Sequence, residues 1–116
     1  MSKSCERKIV DMSIEKARKR YIPMSETMFY ILLSLKQEMH GYGILQHVKM
    51  LTKGRITLGA GTAYSSLGKL ESDRLIESVR EEQRRKIYLI TPLGEQILSE
   101  EAHRIAELYE NIKEEL

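Results

Sequence analysis

The chain has 116 residues, 41% of them hydrophobic and 31% charged, with a formal net charge of +2; this is the composition of one small soluble domain, not of a disordered or membrane-embedded chain. No apolar run approaches the roughly 20 residues that span a bilayer, and the amino terminus lacks the apolar stretch of a signal peptide, so the cytoplasm is the expected compartment. The single Cys5 cannot form an internal disulfide and reads as a small apolar residue.

The modest net charge hides an uneven layout. Residues 1–21 carry seven Lys/Arg against three Asp/Glu, residues 22–91 ten against seven, and residues 92–116 two against seven. Such asymmetry suits a protein that turns one face toward a polyanion, although a solvated charged surface accounts for much of it equally well.

Taken in order, residues 5–20 read as a charged amphipathic helix, with Cys5, Ile9 and Met12 in one apolar row and Val10, Ile14, Ala17 and Tyr21 in another. Pro23 ends it, and Ser25 followed by Glu26 opens a new helix. Met28, Leu32, Leu35 and Met39 form that helix's expected buried stripe, widened by Phe29 and Leu33, and "HGYG" stops it. Gly41 and Gly43 are expected to make a sharp turn before a shorter helix carrying Ile44, Leu45, Val48 and Leu51, which Gly54 terminates.

"LGAGTAYSSLGKLESDRLI", Leu58 to Ile76, brings glycines, hydroxyls and a Lys together and raises the question of phosphate binding. A P-loop needs G-x-x-x-x-G-K-[ST], and here Gly61 and Gly68 are too far apart and Leu70 stands at the hydroxyl position. The dinucleotide fingerprint fails where Tyr64 replaces its third glycine. Ala63, Leu67 and Leu70 instead mark one apolar face of a third helix, and Thr62, Ser65, Lys69 and Ser72 mark the opposite face.

Leu75–Glu81 and Lys86–Thr91 read as a hairpin whose tip holds Arg84, Arg85 and Lys86. Thr91 caps and Pro92 opens a last helix. Leu98, Ile105 and Ile112 recur every seven residues along it, with Leu108, Tyr109 and Leu116 beside them, a stripe able to form an interhelical seam. Glu101 and Glu115 interrupt the other heptad position, which argues against a long coiled coil, and the helix's carboxylates read as a solvated face.

With the brief extended "RITLG" at residues 55–59 as its short strand, helix, helix, short strand, helix, hairpin is the order of a winged helix-turn-helix, so the expected fold is mainly α with a small β-hairpin. Residues 1–21 form a basic helical extension, residues 22–91 the winged domain and residues 92–116 a dimerisation helix. In that arrangement Gly61, Thr62, Tyr64, Ser65 and Lys69 face double-stranded DNA from the third helix, and Arg84, Arg85 and Lys86 reach it from the wing. Each has a plainer reading: Thr62 as a helix cap, Tyr64 as packing, Lys69 and the hairpin cluster as solvated charge. No catalytic set, cofactor motif or metal-ligand spacing appears; His40, His47 and His103 are scattered, and His40 reads as a helix-end residue.

The stretches "MSETMFYILLSL", "HGYGI", "LGAGTAYSSLGKLESDRLIES" and "RRKIYLITPLGEQIL", in that order over about residues 22–98, make the chain similar to the PadR family of bacterial transcriptional regulators. Ala60 and Ala63 stand where that family often has Pro and Leu. The resemblance implies a homodimer joined through the C-terminal helix that represses transcription at an inverted repeat. A single short C-terminal helix resembles the family's smaller branch, some of whose members bind planar or cationic drugs; Phe29, Tyr30 and Tyr109 are the candidate liners of such an effector site. The rival readings are a winged-helix protein-interaction module with an acidic partner and a multidrug-binding scaffold with weak DNA affinity.

Overall fold

The computed structural model describes residues 14–116, so the expected apolar rows at Cys5, Ile9, Val10 and Met12 lie outside the described residues. Residues 14–21 are helical (α1) and turn Ala17 and Tyr21 into the core. The Ser25 hydroxyl accepts the Met28 amide at 3.1 Å and starts α2, Glu26–Ser34, as its residue type predicts. That helix is shorter than expected. Leu35 is its cap, and Met39, expected on its buried stripe, instead forms an antiparallel bridge with Tyr88 through bonds of 3.1 and 2.8 Å. The hairpin thereby gives Met39 the backbone partners that a helix would otherwise supply.

The "HGYG" stretch also differs from expectation. Gly41 and Gly43 belong to the first turn of α3, Gly41–Leu51, which His40 caps by accepting the Gly43 amide on Nδ1 at 3.1 Å. Gly41 leaves room for the Tyr64 ring: a Cβ there would lie 2.6 Å from Tyr64 Cε1 and would displace it.

The third core helix, α4, spans Ala60–Ser72, with Ala63, Leu67 and Leu70 buried as their spacing requires. Strands β1, Ile76–Glu82, and β2, Arg85–Ile90, pair antiparallel from Ile76↔Ile90 to Glu82↔Arg85, with an irregularity between Ser78 and Arg80. Gln83 and Arg84 make the connection at φ 51° and 64°. Two successive left-handed residues match the twist of a tight hairpin turn. Of the three residues expected at the tip, only Arg84 lies in the turn; Arg85 and Lys86 begin β2.

Thr91 caps the last helix, α5, Pro92–Ile112, by accepting the Gly94 amide, and a 3₁₀ turn, Lys113–Glu115, follows. At its base α5 lies directly on the wing: a Cβ on Gly94 would be 2.1 Å from the Leu75 carbonyl oxygen. One core joins Tyr21, Leu32, Leu35, Ile44, Leu67, Leu70, Leu75, Ile90 and Ile97.

Glu101 corrects the picture of a wholly solvated acidic face. It is fully buried, accepts the Met24 amide at 2.7 Å and receives two hydrogen bonds from the Arg104 guanidinium. The Arg104 bonds, opposed by burial and helped by the Met24 amide, hold its carboxyl below the ordinary carboxylate range. It ties the segment before α2 to α5.

Candidate nucleic-acid interface

The outer side of α4 is built by the register of its inner side. With Ala63, Leu67 and Leu70 pointing inward, Gly61, Thr62, Ser65, Lys69 and Ser72 are exposed. Gly59 is the helix's N-cap and offers no side chain, so no side-chain cap closes this terminus and the first-turn amides are left facing outward. Thr62 sits inside the first turn, so the cap reading does not describe it.

Tyr64 combines packing and exposure. Its ring covers Gly41 at the start of α3, yet half of the residue remains accessible (51%). Lys69 leans toward α1, placing its ammonium 5.4 Å from the centroid of the Tyr21 ring, within the range of a cation–π contact.

Beside α4, a cleft of 270 Å³ is lined by Gly41, Tyr64, Arg84, Arg85, Lys86 and Tyr88. Burial raises the Tyr88 hydroxyl above its usual pKa, so it stays a neutral phenol at the cleft wall. Lys86 approaches Glu71 at 3.4 Å, and Arg80 is held by Glu38 and Glu82, each at 2.5 Å. Among the described residues, Arg84 and Arg85 make no ion pair. Two cations without acidic partners share this cleft with Tyr64 of α4, so free positive charge on the wing lies beside that helix.

The candidate seam on α5 divides in two. Leu98 is 6% exposed and packs in its own chain's core, whereas Ile105, Leu108, Tyr109, Ile112 and Leu116 are exposed at helical spacing. Phe29 and Tyr30 are half-buried on α2 and meet edge to face, with centroids 6.0 Å apart. Among the described residues no group of three His, Cys, Asp or Glu side chains could hold a metal ion, and no helix is long and apolar enough to cross a membrane. Sequence reasoning missed His40 as a neighbour of Arg85, because the residue that brings it to the wing, Met39, pairs with a strand nearly fifty positions away.

Residues 30–100 match the Transcriptional regulator PadR-like family. The chain belongs to this family. PadR-like proteins are regulators and not enzymes. The chain is 31% identical over 97 residues to the transcriptional regulator YqjI of Escherichia coli, an alignment covering 83% of this chain and 47% of that protein. It is 34% identical over 70 residues to a 37.1 kDa protein of transposon TN4556 from Streptomyces fradiae, covering 60% of this chain and 20% of that one. The chain thus spans about half or less of the length of these curated relatives. Among solved structures, the PadR-like transcription factor of Bacteroides fragilis aligns with a TM-score of 0.63 and 29% identity, covering 77% of this chain and 88% of that one. The winged-helix fold and PadR resemblance expected from the sequence agree with these relatives.

Proposed function

We propose that this PadR-like chain is a cytoplasmic, dimeric, sequence-specific DNA-binding repressor that recognises a palindromic operator. One observation carries the reading: α4 presents uncapped amides and an exposed Thr62–Ser65 face beside a wing whose Arg84 and Arg85 have no acidic partner among the described residues. Amides, hydroxyls and guanidinium groups in that order suit a helix laid in the major groove with a wing against the adjoining backbone.

In this reading residues 22–91 bind DNA, residues 1–21 are a basic extension, and residues 92–116 form the dimer arm. Support for the arm comes from Ile105, Leu108, Tyr109 and Ile112, which leave a continuous apolar row in water on α5. Two-fold symmetry then sets paired recognition helices about 34 Å apart and makes the operator an inverted repeat. Release by a planar aromatic effector belongs to the same reading, with Phe29, Tyr30 and Tyr109 as its liners; an aromatic cation that raises the melting temperature and lowers DNA affinity is the expected signature.

The test is fluorescence anisotropy with genomic duplex fragments retained by the purified protein, over a range of salt. Affinity should fall by about 0.9 log units per log unit of salt for each phosphate neutralised. Replacing Arg84 and Arg85 with Ala should lower both affinity and slope. Salt-insensitive binding, unchanged in that variant, would remove the wing from the interface and favour an acidic protein partner.

A further inference from the structure

His40 and Arg85 approach each other in a way that neither can satisfy alone. Arg85 Nη1 lies 3.5 Å from His40 Nε2. The opposite ring nitrogen, Nδ1, already accepts the Gly43 amide and therefore carries no proton. In the neutral imidazole the proton must then sit on Nε2, which makes that atom a donor. Guanidinium groups only donate. Two N–H donors thus stand 3.5 Å apart with no lone pair on either atom to join them directly.

The backbone places both residues there. The Met39–Tyr88 bridge fixes residue 40 against the wing, and the Glu82↔Arg85 pairing fixes residue 85 at the start of β2. Glu82, the carboxylate paired with Arg85 in the ladder, is turned to Arg80 at 2.5 Å and does not neutralise the pair. Arg84 and Lys86 add positive charge to the same cleft.

We infer that His40 and Arg85 form a two-donor clamp for a single backbone phosphate of the bound duplex. The inference rests on the DNA-binding reading above and adds to it a residue outside α4 and the wing. One phosphate oxygen accepts from Nε2–H and the same or a neighbouring oxygen accepts from the guanidinium, the charge-assisted geometry in which such bonds are strongest. Because a phosphate carries no base identity, the clamp sets position on the strand and not sequence.

The test uses the full chain and a duplex that it selects from random-sequence DNA. His40→Asn keeps a good N-cap for α3 and removes the Nε2 donor; Arg85→Gln removes the guanidinium. Each should weaken binding about tenfold, the loss of one charge-assisted hydrogen bond. Arg85→Gln should also reduce the salt slope by about 0.9, that of one phosphate contact. The double variant should lose less than the product of the two. A neutral methylphosphonate at one position of each half-site should reproduce the loss and abolish the effect of both substitutions. Since that linkage is in the strand itself, this arm separates a backbone phosphate from a free phosphate bound beside it.

Imidazole ¹⁵N shifts of the wild-type protein provide a measurement that needs no substitution: they should report the Nε2–H form and move when the duplex is added. A well-folded H40N protein that binds like wild type, independent losses in the double variant, or an Nδ1–H ring would overturn the clamp while leaving DNA binding intact. Failure of the wild-type protein to retain any duplex would overturn both.

Discussion

The Tyr21 hydroxyl donates to the Asp73 carboxylate at 2.6 Å, linking the helix before the reading unit to the residue that ends α4. Arg20 reaches the same carboxylate, and Lys69 lies over the Tyr21 ring. On the other side Arg18 forms a bidentate pair with Glu100 of α5. Helix α1 therefore touches both α4 and α5.

Tyr21 supplies a prediction with a defined sign. Burial first, and then the bond to Asp73, push its hydroxyl well above the ordinary tyrosine range. The folded protein favours the neutral phenol, so this stabilisation is complete below about pH 10, the unfolded value, and is lost as pH rises from there toward the folded value. Tyr21→Phe should cost about 1 kcal/mol at neutral pH. Its melting temperature should fall less steeply than that of wild type in strongly alkaline buffer, which thermal melts across pH will show.

Glu101 gives the opposite dependence. Its folded carboxyl is held below the unfolded value, chiefly by Arg104, so the stabilisation is present above the ordinary carboxylate range and is lost as pH falls through the folded value. Glu101→Gln still accepts the Met24 amide but leaves Arg104 without its anion. Because Arg104 is partly exposed, the loss should be roughly 1–3 kcal/mol and not the full cost of a buried unpaired charge. Urea titrations at neutral and acidic pH should show the gap between variant and wild type closing on acidification.

Two positions on the proposed DNA face run against local backbone preference. Arg84 holds φ 64° in the hairpin turn, and a Cβ on Gly68, inside α4, would meet nothing within 4 Å. Arg84→Gly should relieve about 1 kcal/mol of left-handed strain, and Gly68→Ala should gain about as much through helix propensity. Both should nevertheless weaken DNA binding, the first by removing a wing cation and the second by filling the face that lies closest to the groove. A melt and an anisotropy titration on each variant read the two effects separately.

The dimer arm is tested at Leu108, exposed in the middle of the apolar row. Leu108→Glu should sediment as a monomer with an unchanged melting profile at low concentration. If the two reading units act together, its operator affinity should drop roughly a hundredfold or more, since avidity is lost.

Local periodicity made much of this architecture legible. Ala63, Leu67 and Leu70 set the register of α4, and Ser25, Thr91 and Pro92 marked helix starts by chemistry that acts within a few residues. What was misread depends on distant partners. Met39 continues a helical pattern until Tyr88 claims its backbone, and Gly41 resembles a turn glycine until Tyr64 covers it. Glu101 looks like one more solvated carboxylate because Met24, whose amide it accepts, is far away in sequence. The hairpin was legible but its tip was set slightly late, because Gln83 and Arg84 occupy positions where Asn and Gly are the usual signal.

Hydroxyl-radical footprinting on a selected duplex tests the central claim most directly. Two protected tracts are expected on one side of the DNA, about one helical turn apart and related by a dyad, both fading when Thr62 and Ser65 are replaced by bulkier residues. Protection by that variant equal to wild type, or a single asymmetric tract, would contradict the claim.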